Sequence, residues 1–437
     1  MTETLLYILG ILAVAVGIGF SIGLHELGHL IPAKIFGVKV PKYMIGFGPT
    51  LFSFRRGETE YGVKVIPLGG YITMIGMYPP AKPGKKRPKG FFGDMINSAR
   101  EAGEDQVGPG DQNRKFYQLP VLKRITIMFG GPLMNLVLGT VLMVVALTGI
   151  GVVQRSMTVA EVSECVPATT APNSTCGPSD PASPALAAGV KPGDKIIAIG
   201  GVSVTNWNLL LEDLSPGVAS ELTLLRDGKE IQLSITPVEA LRPDVDPKSG
   251  SVIVDSEGQP VLVPKPVLGV ILASERQPVP LSASLEASAS GVAQVGAMIL
   301  TLPQQLTDVA VSTFTGESRN PNGAVSVVGI GQIAGEVASS ESASLIDKAS
   351  TGLLIIASLN FALFAFNMLP LLPLDGGHIA GGVYESIKRG AYRVLRKPDP
   401  GPADTALLMP ATWAVFILLI GMSLLLITAD FINPIAF

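Results

Sequence analysis

His25, Glu26 and His29 fall within five consecutive residues of a chain that has only 3 histidines. On a helix the four-residue spacing puts both imidazoles on one face, where they can share a metal, and it leaves Glu26 beside them as a base. A hydrolytic zinc centre has three protein ligands and an open position for water, so one ligand remains to be found. Asp375 in Leu374-Asp375-Gly376-Gly377 is the candidate, because glycines let the backbone turn there and approach a metal closely. The chemistry such a set supports is hydrolysis of a peptide bond. A single Zn2+ per chain would lower the pKa of its bound water to about 7 and polarise the scissile carbonyl. Glu26 would take the proton of that water and pass it to the leaving amine. Asn367, eight residues before Asp375, can stabilise the oxyanion or hold substrate backbone. His378 reads equally well as a partner behind the ligands or as a surface residue near a membrane.

The elements that must position these residues are strongly apolar. The chain is 47% hydrophobic and only 15% charged, with a mean hydropathy of +0.45. A soluble domain carries about 25% charged residues, so the deficit points to membrane spans. Four stretches are long enough: Leu5–Leu24, running on as helix to about Ile35, then Ile125–Val153, Thr351–Pro370 and Leu407–Thr428. Met1-Thr2-Glu3-Thr4 has no basic segment, so the first run reads as a span and not as a signal peptide. A lone pair of histidines and a glutamate beside such a span would be costly to leave unsatisfied, which favours a metal site over a solvated helix face.

Basic residues set the orientation. Residues 34–124 hold 16 Lys and Arg and residues 379–397 hold 5, against 11 in the much longer 151–350. The two basic stretches therefore face the cytoplasm, and the long middle region and both termini face outward. The expected order is a first membrane helix (1–36), a membrane-associated β-hairpin region (37–78), a cytoplasmic loop (79–120) and a second span (121–153). An outward domain (154–275), an outward or interfacial helical region (276–350), a third span carrying Asp375 (351–378), a cytoplasmic loop (379–406) and a fourth span (407–430) follow. The formal net charge of −3 gives no reason to expect nucleic acid as a partner.

Residues 37–78 are apolar and rich in glycine, too short for a helical span and too apolar for a plain loop. Non-helical backbone at membrane depth survives only where protein or a wet cavity satisfies it. A hairpin dipping toward the metal site meets that condition. Its edge could take an unwound substrate by strand addition, which makes Gly46, Gly48, Gly69 and Gly70 candidate substrate contacts. Asn135, in the second span, needs a partner at membrane depth and is a further candidate substrate contact, or else a helix-packing residue. Between the hairpin and that span, Lys82, Lys85, Lys86, Arg87 and Lys89 form a basic cluster suited to anionic lipid.

In the outward region, Ser183 to Gly201 reads as a short helix, a Pro-Gly-Asp turn and an alternating strand. Leu222–Leu225 and Glu230–Ile235 form a hairpin through Asp227-Gly228, and Val267–Ile271 supplies a closing strand. The pattern resembles a PDZ domain of the bacterial protease type over about 158–238. Cys165 and Cys176, the only two cysteines, lie outside, where a disulfide is permitted. Residues 240–265 have no assigned structure, and 281–306 read as a modestly amphipathic helix along the membrane surface.

Taken together, His25-Glu26-Leu27-Gly28-His29, Gly131-Pro132-Leu133-Met134-Asn135, the PDZ-like region and Asn367 through Gly377 resemble the site-2 protease family of intramembrane zinc metalloproteases. The likeness is to its bacterial PDZ-containing, regulator of sigma E protease-like type. That resemblance implies a multi-pass enzyme of a bacterial plasma membrane that cuts transmembrane segments. Its implied substrates are proteins such as anti-sigma factors already trimmed by an upstream site-1-type protease. It also implies His25, His29 and Asp375 as zinc ligands and Glu26 as the catalytic acid/base. Pro373 stands one place later than in the Asn-x-x-Pro-x-Pro form of many relatives. Two non-enzymatic readings compete. A membrane scaffold with structural zinc would normally have four closed protein ligands. A metal transporter would leave Glu26 unexplained.

Overall fold

The computed structural model describes residues 2–81, 89–104, 107–167, 176–177, 180–203, 214–244, 252–253, 259–317, 319–320 and 323–434. Lys82, Lys85, Lys86 and Arg87 of the basic cluster lie outside the described residues. The chain forms two compact units, one of Gly151–Gln277 and one of Met1–Ile150 with Pro278–Phe437.

The membrane unit opens with α1 (Thr2–Ile35), a helix that continues past the apolar run through both histidines and is followed by Gly37 in a left-handed turn. The hairpin follows as β1 (Lys42–Arg56) and β2 (Thr59–Thr73), turning at Gly57. Its strands bend so that Tyr43 stands opposite both Ile72 and Tyr61. Tyr43 donates its hydroxyl to the Gly23 carbonyl at 2.6 Å, which fastens the sheet to α1 two residues before His25. Phe47, Leu51, Phe52, Val65 and Ile66 remain exposed on the hairpin, as membrane depth would allow. The stretch expected to be a cytoplasmic loop contains an amphipathic helix, α2 (Phe91–Glu104), held by an Arg100–Asp404 ion pair at 2.5 Å. Too few apolar residues occur in α2 for it to stand out as a hydrophobic run, so its charge and glycines read as loop. Next comes α3 (Val121–Val144), continued by a π-helical turn to Ile150.

The second unit holds a six-stranded antiparallel sheet and a separate two-stranded one. Its elements are β3 (Val152–Val162), α4 (Pro184–Ala188), β4 (Lys195–Ile199), β5 (Val202–Ser203), β6 (Ser220–Arg226), β7 (Lys229–Ile235), β8 (Val238–Pro243), β9 (Leu262–Val267) and β10 (Val270–Gln277). The strand order of the larger sheet is β10-β3-β4-β6-β7, with β5 paired to β4, and the smaller sheet is β8-β9. Ser183 caps α4, Pro184 opens it and Gly189 closes it in a left-handed turn, which is why so short a helix is stable. Asp227 and Gly228, both at positive φ, make the tight β6–β7 turn. Val159, Ala185, Ile196, Leu222, Leu224 and Leu268 fill the core. Cys165 and Cys176 are joined in a disulfide. The region without an assignment, 240–265, holds most of the paired strands β8 and β9; Pro243, Pro264 and Pro266 in those strands mask the signal.

The chain then returns to the membrane unit. There α5 (Leu281–Thr315), α6 (Val327–Ser339), α7 (Leu345–Asn367), α8 (Asp375–Val394) and α9 (Met409–Ile432) complete it. Among the described residues five helices are long and apolar enough to cross a membrane: α1, α3, α5, α7 and α9, the last counted from Thr405. The chain is thus a multi-span membrane protein with a β-rich region, and α5 is a fifth helix of spanning length where about four were expected. Glu385 ties the starts of α3 and α9 together, bonding Arg124 at 2.6 Å and the Ala403 amide at 2.8 Å. At their far ends, Thr148 meets Ser284 at the start of α5, and Asn433 donates to the Ser312 carbonyl at its end. Both ends of α5 therefore meet the same side of the bundle. The third span also differs from expectation. It stops at Asn367, and Asp375 opens a new helix that occupies most of the expected 379–406 loop. Gly376-Gly377 reads as a breaker in sequence but is needed for packing: a Cβ on Gly376 would lie 2.2 Å from the Leu369 carbonyl oxygen.

In the sheet unit Arg226 clasps Asp194 at 2.6 and 2.7 Å, and the hydrogen bonds from Arg226 hold that carboxyl below its usual pKa. A depressed folded-state pKa adds stability that is complete above the ordinary value of about 4 and is lost as pH falls toward the folded value. Asp194→Asn should therefore reduce hydrogen-exchange protection of the β4 and β6 amides at pH 7 by roughly 10–100-fold, equivalent to about 1.5–3 kcal/mol. The gap between variant and wild type should narrow only below pH 4.

Candidate active site

Two membrane helices meet here backbone to backbone. A Cβ on Gly28 of α1 would sit 2.2 Å from the Gly130 carbonyl oxygen of α3, and one on Gly130 would sit 2.1 Å from the Gly28 oxygen. Small residues allow that approach, and no larger side chain fits without separating the helices. The contact lays the His29 ring against α3, where its Nδ1 meets the Ile127 carbonyl at 2.8 Å. A carbonyl only accepts, so Nδ1 carries the proton and Nε2 keeps a free lone pair. His25 is turned the same way: its Nδ1 lies 2.5 Å from Asn135 Oδ1.

The two Nε2 atoms stand 3.2 Å apart, and each is 3.3 Å from Asp375 Oδ2. Among the described residues these three form the group able to hold a metal ion. Ligands on a tetrahedral centre with bonds of about 2.0 Å are separated by roughly 3.3 Å, the edge length found here. Asp375 Oδ2 is buried without a hydrogen-bond partner. Three lone-pair atoms facing one another inside a bundle repel unless a cation lies between them, so this donor set fits zinc. The packing leaves no room for an added side chain, since a Cβ on Gly131 would lie 2.2 Å from His29 Nε2.

Glu26 is buried beside the histidines, and its carboxylate takes a backbone hydrogen bond from Ile72 of β2. Gly70 packs on it, with a Cβ there 3.0 Å from Glu26 Cγ. So of the four glycines expected to touch substrate, Gly70 borders Glu26. Gly69 lies under the Phe47 ring and Gly46 against the Ile66 carbonyl, where both serve the bend of the hairpin, while Gly48 meets only the tip of Ile66. Asn135, the further candidate contact, lies between helices. It is fully buried, and its amide is spent on His25 and on Asn360 of α7. Asn367 ends α7 with its Nδ2 donating to the Leu363 carbonyl at 3.0 Å, directed along its own helix. His378 lies in the first turn of α8 with its ring 6.5 Å from that of Tyr78, outside the metal-binding group. Sequence reasoning passed over Asn360 and Ser21. Asn360 could have been found by the argument applied to Asn135, that an amide at membrane depth needs a partner.

A metal-dependent hydrolase centre set among membrane helices defines the class of this protein. Residues 13–395 match peptidase family M50, and the chain belongs to that family, the site-2 proteases. It is similar to zinc metalloprotease Rip1 of Mycobacterium tuberculosis H37Rv, 30% identical over 453 residues and covering 99% of each chain. Rip1 of Mycolicibacterium smegmatis is 29% identical over 457 residues, 98% of each chain, and metalloprotease MmpA of Caulobacter vibrioides 28% over 379 residues, 84% of each. The protein is a metalloprotease.

Gly131→Ala should displace the His29 ring and weaken zinc binding by at least about 10-fold, the scale of a disturbed ligand orientation. Zinc content of the purified protein after dialysis against a weak chelator checks this, and wild-type content would contradict the packing argument.

Proposed function

We propose that the protein is an intramembrane zinc endopeptidase that cuts transmembrane segments of other membrane proteins. The observation that carries this reading is the triangle of His25 Nε2, His29 Nε2 and Asp375 Oδ2, with Glu26 beside it, on helices apolar enough to cross a bilayer. His25, His29 and Asp375 would hold one zinc ion, which supplies Lewis acidity toward the scissile carbonyl and a water acidified to a pKa of about 7. Glu26 takes the proton of the attacking water and delivers it to the leaving amine as the peptide C–N bond breaks. The burial of Glu26 against β2 limits water at the base to what the site admits.

A helix cannot expose a peptide bond to this centre without unwinding. The Gly70–Thr73 end of β2 lies next to Glu26 and can pair with an extended segment of substrate, which would set the register of the cut. Asn367 serves as oxyanion donor by turning its amide away from the Leu363 carbonyl. The substrates are single-span proteins such as anti-sigma factors, already trimmed outside by a first protease. The sheet unit, read as PDZ-like and placed outside by the charge bias, screens them, either excluding bulky ectodomains or holding the new C-terminus. In this reading the enzyme resides in a bacterial plasma membrane with both termini outside. Its four spans are α1, α3, α7 and α9, and α5 lies along the outer surface because both its ends meet the same side of the bundle.

Purified wild type and Glu26→Gln, offered a transmembrane substrate with a trimmed ectodomain, provide the test. Glu26→Gln should keep its zinc and lose about 10²–10⁴-fold in cleavage rate, the range for a general acid–base. Equal cleavage by both proteins would remove Glu26 from the mechanism.

A further inference from the structure

Asn360 sits in the middle of α7, fully buried, and has no part in the metal triangle. Its hydrogen bonds nevertheless lead to one corner of it. Asn360 Nδ2 donates to the Ile356 carbonyl at 2.8 Å and to Ser21 Oγ at 2.9 Å. Ser21 in turn donates to the Gly17 carbonyl at 2.8 Å. Both branches end on main-chain carbonyls, which accept and cannot donate. That fixes the amide: with Nδ2 turned toward the carbonyl, Oδ1 must face Asn135, and it accepts from Asn135 Nδ2 at 2.9 Å. Asn135 Oδ1 is then the atom presented to His25 Nδ1 at 2.5 Å, and it can only accept. Every hydrogen bond in the series points away from His25. The imidazole proton is thereby held on Nδ1, and Nε2 is left free.

We propose that Asn360 is a positioning residue of the metal centre: acting through Asn135, it fixes the tautomer and ring orientation of His25, so that Nε2 meets zinc. This rests on the zinc-peptidase reading above. Without Asn360, the Asn135 amide loses its anchor and can rotate to present Nδ2 to His25. That would draw the proton to Nε2, where it blocks a metal. Such partners behind a ligand are worth about 10–100-fold in metal affinity. The relay joins α1, α3 and α7, so its polarity is imposed by a helix that carries no metal ligand itself.

The experiment measures zinc affinity by chelator competition on the full chain, as wild type, Asn360→Leu and Asn360→Asp. Asn360→Leu should weaken zinc binding by about 10–100-fold. Asn360→Asp should stay close to wild type, because its buried carboxyl, in the protonated form, donates to the Ile356 carbonyl and accepts from Asn135 Nδ2 as the amide does, which preserves the direction of the relay. A mere packing role gives the reverse order, since leucine suits a membrane helix and a buried carboxylate does not. Wild-type affinity in Asn360→Leu, or a larger loss in Asn360→Asp, would overturn the proposal. Should Asn360→Leu not fold, ¹⁵N-histidine spectra of metal-free wild type decide, because three histidines give few signals and His25→Gln assigns one of them. With the spectra taken at alkaline pH, where a neutral ring carries one proton, that proton on His25 Nδ1 supports the relay and on Nε2 sinks it. Failure of wild type to bind zinc would instead refute the metal reading, and the histidine spectrum would still judge the relay.

Discussion

Inside a membrane bundle a polar atom without a partner is expensive, and the active site is organised by where that cost is met and where it is left standing. The inner faces of three side chains of the site are satisfied: His29 Nδ1 by a carbonyl of α3, His25 Nδ1 by Asn135, and Glu26 by the backbone of β2. The outer atoms, two Nε2 and one Oδ2, are brought together unsatisfied. A site assembled this way is specific for a cation, because nothing else relieves three converging lone pairs.

That arrangement sets demands on the helices far from the metal. Gly28 and Gly130 must be small so that α1 and α3 touch, because only then does His29 reach the Ile127 carbonyl. The interruption between Asn367 and Asp375 must fold tightly enough to place Asp375 at the start of α8. Gly376 and Gly377 permit that by letting residues 368–372 press on the first turn. A carboxylate in the first turn of a helix is also favoured by the unpaired amides and the dipole there. Asp375 therefore gains some stabilisation before any metal binds. The hairpin is tied into the same assembly, because Tyr43 fastens β1 to α1 just ahead of His25 and Glu26. Its strand beside Glu26 is consequently held at a set distance from that carboxylate.

Much of the fold was legible because its signals are local. The apolar runs mark α1, α3, α7 and α9, and Asp227-Gly228 marks a hairpin. What failed to show were elements whose signals are weak or contradictory. The helices α2 and α8 carry too few apolar residues to stand out from loops, and the glycines opening α8 look like a stop while they begin a helix. Prolines hid β8 and β9. Helix α5 is apolar enough to pass for a span, and only the partners of its two ends show that both meet one side of the bundle.

By itself the sequence determined the chemistry available: two imidazoles and a carboxylate on one helical face, a second carboxylate at a glycine turn, and apolar segments around them. Spacing along a helix is a property of neighbouring residues, so four positions of sequence are enough to establish it. The tertiary structure alone decided which polar groups stand behind His25 and His29. Asn135 is 110 residues from His25, and Asn360 is 225 from Asn135 and 339 from Ser21. Nothing local distinguishes those amides from others that merely pack helices. Their roles come from the close approach of α1, α3 and α7, and that approach exists only when the whole bundle is formed.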